Sequence, residues 1–262
     1  MGEIESKVAA HYTPGDLHGR ILAGLKAAGR DVDALRPDDL KPFESMHIGG
    51  WQATEHVVEH LGVARGARVL DVGCGIGGTA RTLAVQRGAA VTGIDLTPAF
   101  VAAAADLSQR AGVEGIEFIE ANATNLPFED ASFDAATMLH VGMNVADKAA
   151  LFREVARVLR SGGGFAVYDA MRVGPGALAF PMPWITDPED SFVAAADDYA
   201  AAARDTGFRE TSREDMREGA VASVEQQRAR VAGTPMEPRF VNAIAALERG
   251  TLAPVLMVLR RG

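Results

Sequence analysis

Ala67-Arg68-Val69-Leu70-Asp71-Val72-Gly73-Cys74-Gly75-Ile76-Gly77-Gly78 is the run whose reading decides the fold. Val69 to Val72 predicts a short buried strand that carries a carboxylate near its end. The glycines after it predict a tight turn opening into a helix over Thr79 to Arg87. Outward from this run the same alternation repeats. Ala90 to Asp95, Ile116 to Ile119, Phe133 to Leu139 and Phe165 to Tyr168 read as further strands. Helices are expected from Pro98, tolerated in a first turn, to Arg110, and from Lys148 to Leu159, closed by Ser161-Gly162-Gly163-Gly164. Strands alternating with helices imply a parallel sheet covered on both faces.

Composition narrows the function classes. At 262 residues, one large domain or one domain with additions is expected. The net charge is −9, with no basic run that could follow a phosphate backbone, so a nucleic-acid partner is disfavoured. No apolar run reaches the ~18 residues of a membrane span. The first residues show no basic segment followed by an apolar one, so no secretory leader is expected and the cytoplasm is the expected location. Cys74 is the single cysteine, which rules out an intrachain disulfide and fits a reducing compartment.

The ends of the chain depart from the alternation. Residues 1–50 read as a helical cap, and 51–262 as the main domain. In the cap, Asp16 to Ala28 has helical spacing with Leu17, Ile21, Leu22 and Leu25 on one side. Pro37 and Pro42 are expected to break regular structure between Gly29 and Phe43. Phe43 to Gly50 reads as a glycine-ended loop, and Gln52 to Leu61 as a helix. After the fifth strand, Val173 to Pro188 carries Pro175, Pro181, Pro183 and Pro188 among Phe180, Met182 and Trp184. This predicts an ordered lid with an apolar wall, inserted over about 173–195. Tyr199 to Thr206 reads as a helix and Phe208 to Thr211 as a strand. A helical insertion over about 216–250 breaks at Gly233-Thr234-Pro235, and Pro254 to Leu259 reads as the last strand.

The glycine loop allows two cofactors. Gly73-x-Gly75-x-x-Gly78 also fits a dinucleotide fingerprint, and Asp95 at the end of the second strand could take the ribose of either. Asp71 separates them. A pyrophosphate over this loop would be repelled by a carboxylate just ahead of the turn. S-adenosylmethionine carries an ammonium and a sulfonium, which the same carboxylate attracts. His140 follows the fourth strand, where ligands of open α/β sheets bind. Its imidazole, with an ordinary pKa near ~6.5, is either a general base or a histidine satisfied by its surroundings. His56-Val57-Val58-Glu59-His60 has the spacing of some zinc peptidases. Its plainer reading is an amphipathic helix with Val57, Val58 and Leu61 inward, and no metal is assigned. Cys74 has no His-Asp arrangement near it and reads as a small side chain lining the loop.

Four segments together resemble the class I S-adenosylmethionine-dependent methyltransferases: Val69 to Gly77, Gly93 to Thr97, Leu126 to Asp134 and Val155 to Gly163. The resemblance implies a Rossmann-like, doubly wound α/β sheet, mostly parallel, ending in an antiparallel hairpin, with the N-terminal cap and the lid as additions. It implies that Gly73, Gly75 and Gly77 approach the methionine part while Asp71 balances its amine. Asp95 would hold the ribose and Leu96 would lie against the adenine. Asn122 and Ala123 stand where the family often has an Asp-Ala pair, so Asn122 would accept from the adenine amino group through its amide oxygen. His140 would be the base or touch the cofactor. Tyr12, Met46, His47 and Gly50 are candidate cap residues; Met143, Asn144, Phe180 and Trp184 are candidate acceptor contacts. The product would be S-adenosylhomocysteine and the partner a small-molecule acceptor, methylated at oxygen, nitrogen or carbon; a homodimer is compatible with this. Two subgroups fit: the glycine, sarcosine and dimethylglycine N-methyltransferases, and the ubiquinone/menaquinone, tocopherol and natural-product enzymes. A nicotinamide oxidoreductase and a non-catalytic S-adenosylmethionine-binding protein are the rival classes.

Overall fold

The computed structural model describes residues 2–12, 16–44 and 47–262. Met46 and the side chain of Tyr12, both expected at the cap, lie outside the described residues. Among the described residues, four helices precede the sheet: α1 (Glu3–Tyr12), α2 (Leu17–Ala27), α3 (Pro37–Glu44) and α4 (Gly50–Leu61). The alternating part is β1 (Arg68–Val72), α5 (Gly78–Arg87), β2 (Ala90–Asp95), α6 (Pro98–Arg110), β3 (Ile116–Glu120), β4 (Phe133–Leu139), α7 (Lys148–Val158) and β5 (Leu159–Arg172). The chain closes with α8 (Ala196–Asp205), β6 (Phe208–Asp215), α9 (Ala220–Arg230), α10 (Glu237–Glu248) and β7 (Leu252–Arg261).

The sheet runs β3-β2-β1-β4-β5-β7-β6. The first five strands are parallel, and β7 lies antiparallel between β5 and β6. Strand order reverses between β1 and β4, so a crevice opens at their carboxyl ends, where the glycine loop and His140 both lie. Side chains along β1 alternate between two cores. Leu70 and Val72 join Phe152, Val155 and Tyr199 on one face. Val69 joins Val57, Val58, Leu61 and Leu83 on the other. Full burial of each such aliphatic side chain contributes about 1.5–3 kcal/mol.

Several boundaries differ from expectation. α7 stops at Val158 because Leu159 already pairs with Phe133, and β5 then runs for 14 residues after an irregularity between Phe133 and Ala135. β6 extends to Asp215; along it only Phe208 is buried, so its polar outer half has no apolar alternation to announce it. Met216, expected to open a helix, instead donates its N–H to Pro254 O across the sheet. α9 and α10 are separated around Gly233, as the break there predicts. Pro37 opens α3 rather than preventing it, and Pro42 sits inside that eight-residue helix. In so short a helix Pro42 forgoes a single backbone bond. α1 was not anticipated; Val8 is its one buried apolar residue among those described.

The lid segment packs inward. Met182 and Ile185 bridge through Met182 N–H to Ile185 O at 2.9 Å. Met182, Trp184 and Ile185 share a core with Ile48, Met143, Val224 and Ile244. Beyond it, Lys148 Nζ donates to Phe192 O (2.7 Å) and Phe192 N–H to Met143 O (2.9 Å). Those bonds tie the lid to the turn Gly142–Asn144 after β4.

That turn is also held from beneath. Asp169, fully buried, accepts from Met143 N–H (3.1 Å) and from the Tyr199 hydroxyl (2.8 Å) through one oxygen, and from Ala170 N–H (2.9 Å) through the other. Burial pushes its pKa up to about 6; the Tyr199 hydroxyl and the Lys148 charge hold it from rising further. Tyr199→Phe removes a donor from a buried carboxylate and is expected to cost about 1–3 kcal/mol. Thermal melting checks this at roughly 2–4 °C per kcal/mol for a chain of this size.

Candidate cofactor and acceptor site

The glycine loop takes its shape from backbone angles that other residues rarely adopt. Gly73 has φ 68° and Gly75 has φ 53°. A Cβ on Gly73 would run into the side chain of Val141, whereas one on Gly75 would meet nothing within 4 Å, because Gly75 faces the cavity. Gly77 does not line the cavity; Phe118 and Arg81 fill the space a Cβ would need there. Gly78 and Thr79 line the wall in its place. Arg81 braces the loop from below, donating to Ile76 O (2.6 Å) and Ser108 Oγ (2.9 Å). A single arginine on a helix carries no sequence signal for that role.

Asp95 closes the loop from the side. It accepts from Gly75 N–H (3.0 Å) and from Thr97 N–H (2.9 Å). Burial raises its pKa and these N–H groups pull it back. Leu96, Phe100 and Ala121 to Thr124 continue the wall. Within it Asn122 differs from expectation. Its Oδ1 already accepts from Thr124 N–H and Thr124 Oγ1, each at 2.9 Å. With Oδ1 so engaged, what Asn122 could offer a ligand is its amide NH2, a donor rather than an acceptor.

Asp71 is buried and does not line the cavity, so the charge balance expected of it would act from behind the wall rather than by contact. Thr137 Oγ1 donates to its Oδ1 at 2.8 Å, while Oδ2 is buried without a hydrogen-bond partner. Burial raises its pKa to about 7; Thr137 holds it back and Asp95 adds to the rise. Cys74 lines the cavity, and burial, with Asp71 and Asp95 nearby, pushes its thiol up and keeps it unreactive.

On the acceptor side, His140 has φ 55°, unusual for a residue other than glycine, and its N–H donates to Tyr168 O at 2.7 Å. Such a conformation persists only where the surroundings impose it. The ring lines the cavity, and Nε2 is buried without a hydrogen-bond partner. Burial, with His47 nearby, holds its pKa well below the usual value, so the imidazole is neutral near pH 7. The His47 and Tyr168 rings lie 5.7 Å and 5.2 Å from it. His47 is fully engaged: Nδ1 lies 3.1 Å from Ile48 O, so it carries the proton, and Nε2 accepts from Thr54 Oγ1 at 2.9 Å. The Tyr168 hydroxyl donates to Ile48 O at 2.9 Å. Tyr168 carries no sequence signal for this role because its partner Ile48 lies 120 residues away, and Thr54 is an ordinary helix residue in its own segment.

The cavity that joins these groups has a volume of about 1480 Å³. Met143, Asn144 and Trp184 line it as expected contacts would. Phe180 does not, packing instead against the core beneath the lid. Gly50 also lies off this wall, beside a separate hollow. Walls that were not anticipated come from Val8 of α1, Leu17 of α2, Val224 of α9 and Phe240 of α10.

The residues present fit S-adenosylmethionine. Gly75 leaves its face open, Asp95 offers a carboxylate beside it, and Asp71 places an unpartnered buried oxygen under the loop. Residues 70–167 match the family model of the methyltransferase domain. The chain is 32% identical over 187 residues to the O-methyltransferase rstn1 of Aspergillus nomiae, covering 69% of this chain and 81% of that one. It is 32% identical over 189 residues to 27-O-demethylrifamycin SV methyltransferase of Amycolatopsis mediterranei, covering 66% and 70%. The chain belongs to the class I S-adenosylmethionine-dependent methyltransferases. Its fold is that of geranyl diphosphate C-methyltransferase from Streptomyces coelicolor, with TM-score 0.76, 18% identity, and 100% and 99% of the two chains covered. Against four other curated relatives the chain spans about half of their length or less, from 31% to 48%.

For this methyltransferase the state of Asp71 is expected to set a pH dependence of cofactor binding. A cationic cofactor above the loop favours the ionised carboxylate and so lowers its pKa from about 7. Binding then releases a proton, and affinity for S-adenosylmethionine rises with pH through about 7 before levelling off. Asp71→Asn is expected to flatten that rise. Calorimetry from pH 5 to about 7, below the ~7.7–8.0 at which an α-amino group such as the ligand's deprotonates, checks it; an unaltered slope in the variant would remove Asp71 from the linkage.

Proposed function

We propose that the protein transfers the methyl group of S-adenosylmethionine to a hydroxyl of a bulky, largely apolar small molecule. The cavity carries this reading: about 1480 Å³ exceeds the ~300–1,000 Å³ of a site for one small ligand. It leaves room for cofactor and acceptor together, behind walls that include Phe43, Trp184, Val224 and Phe240. The relatives named for O-methylation and for a rifamycin substrate support an acceptor of that kind. A glycine-type amine would leave most of this apolar wall without a partner.

The cofactor supplies an electrophilic methyl group on a positively charged sulfur. Gly73, Gly75, Gly78, Thr79 and Asp95 would hold its amino-acid and ribose parts, and Leu96, Phe100 and Asn122 would flank the adenine. His140, whose buried Nε2 lines the cavity, would take up the proton of the acceptor hydroxyl. His47 cannot take that part, since both its nitrogens are engaged; it packs beside His140, whose burial keeps that ring neutral. The lid and cap exclude water and hold donor and acceptor in line, the main source of rate in such a transfer. No helix among the described residues is long and apolar enough to cross a membrane. We place the protein in the cytoplasm, where Cys74 stays reduced.

An assay of methyl transfer from isotope-labelled S-adenosylmethionine to polyketide and phenolic alcohols, sterols and small amines tests this. Label on a bulky hydroxyl acceptor is expected. Label on glycine or sarcosine alone would overturn the acceptor assignment.

A further inference from the structure

His56 and His60 project from one face of α4, a turn apart. The fold brings Glu214 of the edge strand β6 beside them. His56 Nε2 lies 2.7 Å from Glu214 Oε2, and the two imidazole rings are 4.0 Å apart, tilted by 38°. Nδ1 of His60 lies 2.8 Å from the backbone oxygen of His56, which only an N–H can approach as a partner. That bond fixes the tautomer of His60 and leaves the Nε2 lone pair for another ligand, the arrangement by which protein metal sites orient their histidines. One donor atom from each of the three side chains lies within 4.8 Å of the others.

From this juxtaposition we propose that His56, His60 and Glu214 form a binding site for a zinc-like divalent transition metal, distinct from the methyl-transfer cavity. Two imidazoles and a carboxylate suit zinc, nickel or cobalt rather than magnesium or calcium, which prefer oxygen ligands. The metal takes the place of the proton between His56 Nε2 and Glu214 Oε2, that proton moving to Nδ1 of His56, and water completes the coordination. The side chains are partly exposed, so small rotations bring the donors to bonding distance at little cost. Neither histidine lines the large cavity. The expected consequence is structural. The ion ties α4, whose first turns carry Thr54 and follow His47, to a strand that otherwise forms the open edge of the sheet. The His-x-x-Glu-His spacing is thus used without its glutamate: the third ligand comes from β6, which the sequence alone could not show, and it replaces the assignment of no metal.

The test is calorimetric titration of chelator-treated protein with ZnCl2, with cobalt absorption bands as a second readout. Saturable binding of one ion and a rise in melting temperature are expected. His60→Ala and Glu214→Gln should each weaken binding by about 10–100-fold or more, since losses of outer partners alone cost that much. Glu59→Gln and His18→Ala should leave it unchanged. Retained S-adenosylhomocysteine binding shows that each variant is folded. Absence of saturable binding, undiminished binding in His60→Ala or Glu214→Gln, or its loss in Glu59→Gln, would overturn the proposal.

Discussion

Gly73→Ala is expected to weaken binding of S-adenosylhomocysteine by on the order of 100-fold or more. Two costs add. A left-handed backbone costs a residue with a Cβ about 1–2 kcal/mol. Forcing extra volume into a filled space costs about 1–3 kcal/mol more, and every 1.4 kcal/mol is about tenfold. Here the filled space is the side chain of Val141, one residue beyond His140. The chain can escape the clash only by moving the loop or the β4 turn, and both line the site. Gly75→Ala separates the two costs. Its φ of 53° brings the backbone penalty, but its Cβ would meet no protein atom within 4 Å. That variant should melt closer to the parent and still lose affinity, since the new methyl enters the space the ligand needs. Melting curves and calorimetry on both proteins distinguish them. Equal affinity in Gly73→Ala and the parent would mean that the ligand does not rest on this loop.

Turnover on a hydroxyl acceptor should fall by about 10²–10⁴-fold in His140→Ala, the usual worth of a general base. Affinity for S-adenosylhomocysteine should change little. Because burial and His47 hold the His140 pKa well below 6.5, the parent base is unprotonated across the neutral range. The acid limb of kcat/KM is therefore expected below pH 6.5, where the imidazole takes up its proton and is lost as a base. His140→Asn controls for the backbone, since asparagine tolerates a positive φ that alanine resists. Both variants should lose turnover if the ring is the base. Recovery in His140→Asn would assign the effect to the φ of 55° instead.

How much of this was legible in the sequence depends on the range of the interaction. β1, the glycine turn and Asp95 are local patterns, and together with the strand–helix alternation and the later motifs they pointed to the carboxyl ends of the strands. The register of β5 was not legible, because Leu159 becomes a strand residue only through Phe133. β6 was foreshortened because an exposed edge strand has no buried alternation. Asn122 was expected beside the adenine, but its oxygen is taken by Thr124, a contact that residue types do not announce. Asp71 was placed by the sign of its charge, yet it acts from beneath the loop. Arg81, Thr54 and Tyr168 are ordinary residues in their own segments; what makes them part of the site is a folded geometry that residue types do not announce, for Tyr168 a partner 120 residues away. Phe180 and Gly50 show the converse, suggestive settings whose contacts lead elsewhere.

Paired calorimetric titrations with S-adenosylhomocysteine and with NADH, on the parent and on Asp95→Ala, decide what the glycine loop holds. Saturable binding of one S-adenosylhomocysteine per chain, weakened in Asp95→Ala, is the expected result, with no saturable response to NADH. Saturable binding of NADH alone, or S-adenosylhomocysteine binding indifferent to Asp95, would contradict it.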